Sequence, residues 1–417
     1  MFLFLTEQLV SLCGLSKVLF IGNIWPEPKS TAAGWRTTGL ISCFQEHGYD
    51  VSYAATTSIN QHANILINTG ISVQEILLND DSFNVFISEL NPEIVVFDRF
   101  MMEEQFGWRV RDICRNALTI LDTSDLHFLR IKRGESLSKK KKTTHEEIKL
   151  RELGSILRSD VALIISEVEK NLLVEMGIPE NLLYYLPFMV NIPNVKKWNS
   201  FENRSNFITI GSFLHAPNID QLKFLKTSIW PLIRKDIPNA EMHCYGAYCK
   251  EKHLQLTDSK SGFFIKGFAD DAQDKISKYK VLLAPLRFGA GLKGKLIEAA
   301  ITGTPSVTTA IGKEGIVTHK EKWAGAIFND NVLFAKAAVE LYLDGDIWKK
   351  ASDKSLAVLE ERFDKKLHNT TFITYVEDRL FNLKNARNNN LLGSILNYHT
   401  NRSTKFMSMW IESKNKQ

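Results

Sequence analysis

Short apolar segments alternate with longer amphipathic segments along most of the chain. The first apolar run, residues 17–22 (KVLFIG), is rich in strand-forming side chains and ends at a glycine, so it predicts a buried strand. A helical pattern follows over about residues 31–47. Similar apolar runs lie at residues 50–55, 93–98, 118–122, 161–166 and 183–188. Strands that alternate with helices form parallel βαβ units, so we predict a parallel sheet covered on both faces.

The pattern then restarts after a Pro- and Asn-rich stretch without periodicity, which predicts a linker. A second series has strands near residues 207–211, 241–246, 263–268, 280–286 and 306–310. We therefore predict an α/β chain with two tandem Rossmann-like, doubly wound domains that face each other across a cleft. Ligands of such domains bind at the carboxyl ends of the strands. The predicted boundaries are 1–190, 191–205 (linker), 206–365 and 366–417 (helical tail).

The composition narrows the class of protein. The 417 residues are 44% hydrophobic and 24% charged, with a net charge of +5, which excludes a largely disordered chain and a collagen-like chain. Five cysteines without a CxxC pair favour reduced thiols and a cytoplasmic location. No apolar run reaches the ~18 residues of a spanning helix. Residues 1–16 lack a basic start and carry Glu7 among apolar residues, so we expect a short docking helix, on a core or a membrane face, and not a signal peptide.

One glycine- and lysine-rich loop carries the clearest chemical signal. Gly289, Gly291 and Gly294 match GxGxxG between a predicted strand and a predicted helix, where glycines let backbone N–H groups approach a diphosphate. The loop follows a late strand of its domain, and no acidic residue lies about 20 positions further on, so we reject a dinucleotide site. Glu298 lies one helical turn beyond the loop, placed to accept from ribose hydroxyls. The structural alternative is a tight turn with exposed lysines.

Four segments of the second half together carry a family resemblance. They are residues 210–225 (IGSFLHAPNIDQLKFL), 267–271 (GFADD), 285–309 and 313–316 (KEGI). They resemble the C-terminal half of the group 1 retaining glycosyltransferases of sequence family four, which have the GT-B fold. Looser matches lie at 25–36, 121–130 and 166–173, so the resemblance covers about residues 17–365. It implies sugar transfer from a nucleotide-diphosphate sugar to a carbohydrate, lipid-linked or protein acceptor, with retention, without a metal and without a cofactor.

The resemblance also assigns roles to individual residues. Glu298 matches the second glutamate of the family's Glu-x7-Glu signature, whereas Ala290 stands in place of the first. The family's Arg and Lys that clamp the diphosphate fall at Ser212 and Asn218 here, so we expect His215, which lies between them, to substitute. Neutralisation of the phosphate charge then falls to Arg287 and Lys293. The residues assigned to catalysis are His127, Lys293 and Arg287. Those assigned to donor binding are Gly34, Ser212, His215, Gly289, Gly291, Leu292, Gly294, Glu298 and Glu314.

Several alternatives stay open at the sequence level. His127 is equally consistent with a hydrogen-bonded structural residue, and Glu314 with a carboxylate at a helix start. The missing signature glutamate leaves room for a non-catalytic nucleotide-sugar binding module, and the fold also occurs in epimerases. The lysine run 139–142 is either a solvated loop or a peripheral contact with an anionic acceptor or membrane. Nucleic acid is not an expected partner, because the run lacks interleaved aromatic residues.

Overall fold

Two parallel sheets form the frame of the molecule. The computed structural model describes residues 16–137, 144–317, 319 and 322–415. The strands of the first sheet are β1 (Lys17–Gly22), β2 (Asp50–Ala55), β3 (Ser72–Glu75), β4 (Ile94–Asp98), β5 (Leu118–Asp122), β6 (Val161–Ile164) and β7 (Leu183–Tyr185). Those of the second are β8 (Ser205–Ile210), β9 (Met242–Tyr245), β10 (Phe263–Gly267), β11 (Tyr279–Ala284), β12 (Ser306–Thr308) and β13 (Gly325–Ile327).

Helices separate successive strands in both halves. Those between β1 and β7 are α1 (Ala32–Glu46), α2 (Gln61–Asn68), α3 (Ser82–Leu90), α4 (Phe100–Ile113), α5 (His127–Ser136), α6 (Thr144–Arg158) and α7 (Glu167–Glu175). Those between β8 and β13 are α8 (Ala216–Phe224), α9 (Trp230–Asp236), α10 (Glu251–Leu254), α11 (Ala272–Ile276), α12 (Gly294–Ile301) and α13 (Ala310–Lys313). The chain ends in α14 (Asn331–Leu343), α15 (Gly345–Arg362), α16 (Lys365–Phe381), α17 (Leu383–Asn388) and α18 (Leu391–Asn415).

The strand order is that of doubly wound domains. The first sheet runs β3-β2-β1-β4-β5-β6-β7 and the second β10-β9-β8-β11-β12-β13, and the pairs are parallel. In each sheet the order reverses beside the first strand of that domain, which is where ligands of such sheets bind. The central strands are fully buried because helices cover both faces; in β4, for example, every residue is buried. The predicted α/β fold class is confirmed.

The C-terminal helices return to the first domain. In α16, Phe372, Ile373 and Val376 are buried in the core of the first sheet, and Phe372 packs edge-on against Phe44 at 5.7 Å between ring centroids. The α17 residue Arg387 forms a salt bridge with Asp160 at 2.7 Å. The segment predicted as a helical tail therefore completes the core of the first domain.

Other sequence-level predictions fall partly outside the described residues. The expected docking helix in residues 1–16, apart from Ser16, and the lysine run 139–142 both lie there. Cys43, Cys114, Cys244 and Cys249 are free thiols. Among the described helices, none combines the length and the apolar composition needed to cross a bilayer.

The packing of α16 generates a stability prediction. Phe372→Ala should destabilise the protein by about 3–5 kcal/mol, because it removes a fully buried ring and leaves a cavity. Phe381→Ala, in the same helix, is the matched control, since its side chain is 91% exposed. Denaturant unfolding of both variants measures the difference. Equal stability of the two variants would show that α16 is not part of the core.

Candidate functional site

A cavity of about 400 Å³ lies between the two domains, at the carboxyl ends of both sheets. Four of the helices that begin at its wall are α1 at Ala32, α5 at His127, α8 near Pro217 and α12 at Gly294. A helix start presents the positive end of the helix dipole and backbone N–H groups without partners in the helix. At the start of α5, two of these N–H groups already donate to Glu152, so the start of α12, beside Lys293, is better suited to an anionic group.

The glycine- and lysine-rich loop forms one side of the cavity and touches the other domain. Gly291 has a positive φ of 61°, and a Cβ there would lie 2.8 Å from the Asp125 Cβ. A Cβ on Gly294 would lie 3.1 Å from the Ala32 Cβ. Both glycines therefore permit an approach between domains that a larger residue would obstruct.

Lys293 is buried at the base of this loop. Its Nζ donates to the carbonyl of Gly291 at 2.8 Å. Burial lowers the pKa of Lys293 to about 8, an effect that the nearby Glu314 and Glu169 oppose. The amine is therefore mostly charged at neutral pH, and an arriving anion would stabilise that charge.

Glu169 of α7 links the two domains at the same point. Its Oε1 accepts from the backbone N–H of Gly291 at 2.6 Å and from that of Leu126 at 3.4 Å. Burial raises the pKa of this carboxyl to about 7. Its second oxygen, Oε2, is buried without a hydrogen-bond partner. One carboxyl group thus holds the glycine loop beside the start of α5. Glu169 was not among the site residues predicted from the sequence, although it lies in segment 166–173, which resembles the glycosyltransferase family.

A second lysine, the half-buried Lys295, lies one turn from Glu298. Its Nζ donates to Asn218 Oδ1 at 2.9 Å and to Gln221 Oε1 at 3.0 Å. Burial lowers the pKa of Lys295 to about 7 and raises that of Glu298 to about 7. Asn218 stands where the resemblance places a family lysine, so Lys295 brings a cation to that position from the opposite helix. Lys295 was not among the site residues predicted from the sequence, although the consecutive Lys293, Gly294 and Lys295 could have indicated a second cation there.

Two histidines line the cavity, His127 half-buried and His215 exposed. Desolvation at the cavity wall lowers the pKa of both to about 4. His127 Nε2 lies 3.4 Å from Asp125 Oδ1, and Arg130 pairs with the same carboxylate. A neutral imidazole can donate or accept a hydrogen bond without adding charge. His215 therefore does not supply the positive charge that the sequence analysis expected of it.

The remaining predicted residues divide between the cavity wall and its surroundings. Gly34 lies at the wall, where a Cβ would meet the Glu27 backbone at 2.4 Å. The predicted residues that line the cavity are Gly34, His127, Ser212, His215, Gly289, Leu292, Lys293, Gly294 and Glu298.

Three predicted residues have other roles. Arg287 points away from the cavity, pairs with Asp220 and stacks on Phe224 at 4.9 Å, which corrects its expected place at the diphosphate. Gly291 lies behind the wall and donates to Glu169. Glu314 accepts two hydrogen bonds from Arg133 at 2.9 and 3.0 Å, so it forms a contact between domains and is not part of the wall.

Contacts at the rim hold the two domains together. The Tyr248 hydroxyl lies 2.5 Å from both carboxylate oxygens of Glu27, across the cleft. Arg133 also donates to the carbonyl of Gly289 at 2.7 Å. Pairs that join the two domains thus lie at the rim of the cavity. Over the described ranges, no group of three or more His, Cys, Asp and Glu side chains is arranged to hold a metal ion.

Comparison with known proteins agrees with this architecture. Residues 204–344 match the family model described as Glycosyl transferases group 1, so the second domain carries the domain of that family. A Klebsiella pneumoniae protein described as an uncharacterized 44.6 kDa protein in the cps region is 24% identical over 191 residues. That match covers 44% of this chain and 49% of the relative, so it spans about half of each.

Solved structures extend the likeness to both domains. Anabaena HepE, in complex with UDP and glucose, superposes with a TM-score of 0.67 at 11% identity, over 87% of this chain and 100% of that one. A mutant of Staphylococcus aureus TarM, in complex with Fondaparinux, α-GlcNAc-glycerol and UDP, has a TM-score of 0.57 at 15% identity. That match covers 72% of this chain and 58% of TarM. The fold is GT-B.

The pKa of Lys293 generates a pH prediction. The affinity for UDP should fall as the pH rises above about 8, because the amine loses its proton there and with it the attraction for the diphosphate. Calorimetric titration with UDP between pH 7 and 9.5 measures this decline. In Lys293→Met the affinity should be lower at pH 7, and the decline above pH 8 should be smaller, because only the titration of Lys295 remains. An identical pH profile in the variant would exclude Lys293 from the diphosphate site.

Proposed function

We propose that this protein is a glycosyltransferase that moves a sugar from a nucleotide-diphosphate donor to an acceptor hydroxyl, with retention and without a metal ion. The observation that carries the proposal is the convergence of Lys293, Lys295 and Glu298 with four helix starts in one cavity between the domains. The family match of residues 204–344 supports this assignment. The complexes of HepE and TarM contain UDP, which makes UDP-sugars the first donors to test.

The diphosphate fits beside the glycine- and lysine-rich loop. Negative charge develops on the diphosphate as its bond to the anomeric carbon breaks, and fixed donors at that place lower the barrier. The ammonium group of Lys293 and the N–H groups at the start of α12 supply such donors. Lys295 takes the place that the sequence analysis gave to Arg287, because Arg287 is engaged by Asp220. Glu298 is left to accept hydrogen bonds from the ribose.

The proposed transfer needs no strongly basic side chain. The bond between the anomeric carbon and the diphosphate oxygen breaks while the acceptor oxygen bonds to the same face of the sugar. The acceptor proton passes to the departing phosphate oxygen. His127 is neutral and lies at the first-domain side of the cavity, where it is placed to hydrogen-bond the donor sugar. The pairs across the rim, Tyr248 with Glu27 and Arg133 with Glu314, would exclude water from the reacting centre.

A second candidate function is binding of a nucleotide sugar without turnover. Ala290 favours it, because the cavity wall has a methyl group where related enzymes carry a glutamate. Release of UDP from a UDP-sugar, with or without an added acceptor, separates the two. Tight binding of a nucleotide sugar with no release over hours would favour the binding module. We propose a cytoplasmic location, where nucleotide sugars are available, and leave the acceptor as a carbohydrate, a lipid-linked molecule or a protein.

The assignment of Glu298 to the ribose predicts a specific loss. Glu298→Gln should weaken UDP binding by about tenfold, because a charged acceptor is exchanged for a neutral one of the same shape. Glu340→Gln, on the outer surface of α14, is the matched control and should bind UDP as the unmodified protein does. Calorimetry gives the affinities, and a melting curve without ligand tests the fold. Unchanged affinity in Glu298→Gln would remove this contact from the site.

The absence of a metal requirement is a separate prediction. Sugar transfer, or UDP-sugar hydrolysis if no acceptor is known, should persist in excess EDTA, because Lys293 and Lys295 offset the diphosphate charge. The assay measures UDP release with and without EDTA and with added Mn²⁺. If EDTA abolishes UDP release and Mn²⁺ restores it, the metal-independent mechanism is contradicted. The assignment of the nucleotide site would not be affected.

A further inference from the structure

The last helix, α18, packs against the first domain through a polar face. On that face, Arg109 of α4 donates to Ser408 at 3.0 Å and pairs with Glu412. Lys405 pairs with Asp112, also of α4, at 2.6 Å. Asn397 donates to the carbonyl of Arg158 in α6 at 3.3 Å. These polar contacts fix the orientation of α18 on the first domain.

The opposite face is exposed and largely apolar. At 100° per residue, eight exposed apolar residues fall on one half of the helix surface, with the polar residues His399 and Ser403 between the two ends of the stripe. Leu391 is 69% exposed, Phe406 64% and Trp410 55%. Because α18 rises 1.5 Å per residue, the stripe is roughly 30 Å long. Its members are Leu391, Leu392, Ile395, Tyr398, Phe406, Met407, Met409 and Trp410.

The composition of residues 383–415 favours one kind of partner for the apolar stripe of α18. Residues 383–415 contain five basic residues and one acidic residue. Lys414 Nζ lies 3.9 Å from the centroid of the Trp410 ring, so a cation borders the apolar stripe. Tyr and Trp beside basic residues are typical of helices that lie in a membrane interface. A second copy, related by a two-fold axis, would bring the same positive charge against itself, whereas an anionic surface complements it.

We propose that α18 is a membrane-docking helix, which lies in the surface of an anionic bilayer with its apolar stripe toward the lipid chains. The polar contacts with Arg109 and Asp112 hold the helix so that this stripe faces away from the domain. The proposal does not depend on the glycosyl-transfer activity, since the stripe and the cavity share no residue.

Vesicle co-sedimentation of the full chain tests this proposal. The unmodified protein should pellet with vesicles of phosphatidylglycerol and phosphatidylcholine, and much less with phosphatidylcholine alone. A double variant, Phe406→Ser with Trp410→Ser, should bind the anionic vesicles at least tenfold more weakly. Leu343→Ser, on the outer side of α14 where the side chain is 61% exposed, is the control and should bind normally. Melting curves of the variants confirm that each is folded.

Three results would overturn the proposal. The first is an unmodified protein that stays in the supernatant with anionic vesicles, and the second is a double variant that pellets as well as the control. The third is a concentration-dependent dimer in analytical ultracentrifugation that the double variant abolishes, because a second copy would then cover the stripe. Binding to phosphatidylglycerol vesicles that weakens at high salt would support an electrostatic attraction between the helix and the anionic lipid.

Discussion

The geometry of parallel sheets determines where this protein can bind a ligand. Every strand of a βα unit ends at the same edge of its sheet, and the next helix begins there. In this chain the two sheets turn those edges toward each other, so four helix starts face a single cavity. The hydrogen bond from Gly291 to Glu169 joins the edges at 2.6 Å. This contact holds the glycine loop against the first domain, while Glu152 holds the start of α5 through the N–H groups of His127 and Phe128.

Buried charges give the cavity its chemical character. Burial lowers the pKa of Lys293 to about 8 and that of Lys295 to about 7, while it raises that of Glu298 to about 7. Each shift means that the charged form of the side chain is destabilised when no ligand is present. A diphosphate would favour the charged lysines, and ribose hydroxyls would favour a charged Glu298. The site is therefore organised for a ligand that carries both groups.

Local sequence patterns predicted the strands and the glycine- and lysine-rich loop. Contacts between residues far apart in the sequence determine where Arg287, Glu314 and α16 lie. The apolar run 17–22 and the turn at Gly289–Gly294 depend on neighbouring residues, and both were predictable. Arg287 was misplaced because Asp220, 67 positions away, holds it outside the cavity. Glu314 lies at the domain contact because Arg133, 181 positions away, binds it. Likewise, α16 belongs to the first domain through side-chain packing that its own periodicity cannot reveal.

Amide hydrogen exchange with saturating UDP-glucose tests the central claim most directly, because the claim requires one ligand to contact both domains. The account predicts slower exchange in residues 290–298 of the second domain and also in residues 124–130 of the first. Residues 51–55, in the buried strand β2 away from the cavity wall, provide an internal reference that should not change. Slower exchange in neither segment at saturation, or in only one of the two, would contradict the placement of the donor between the two domains.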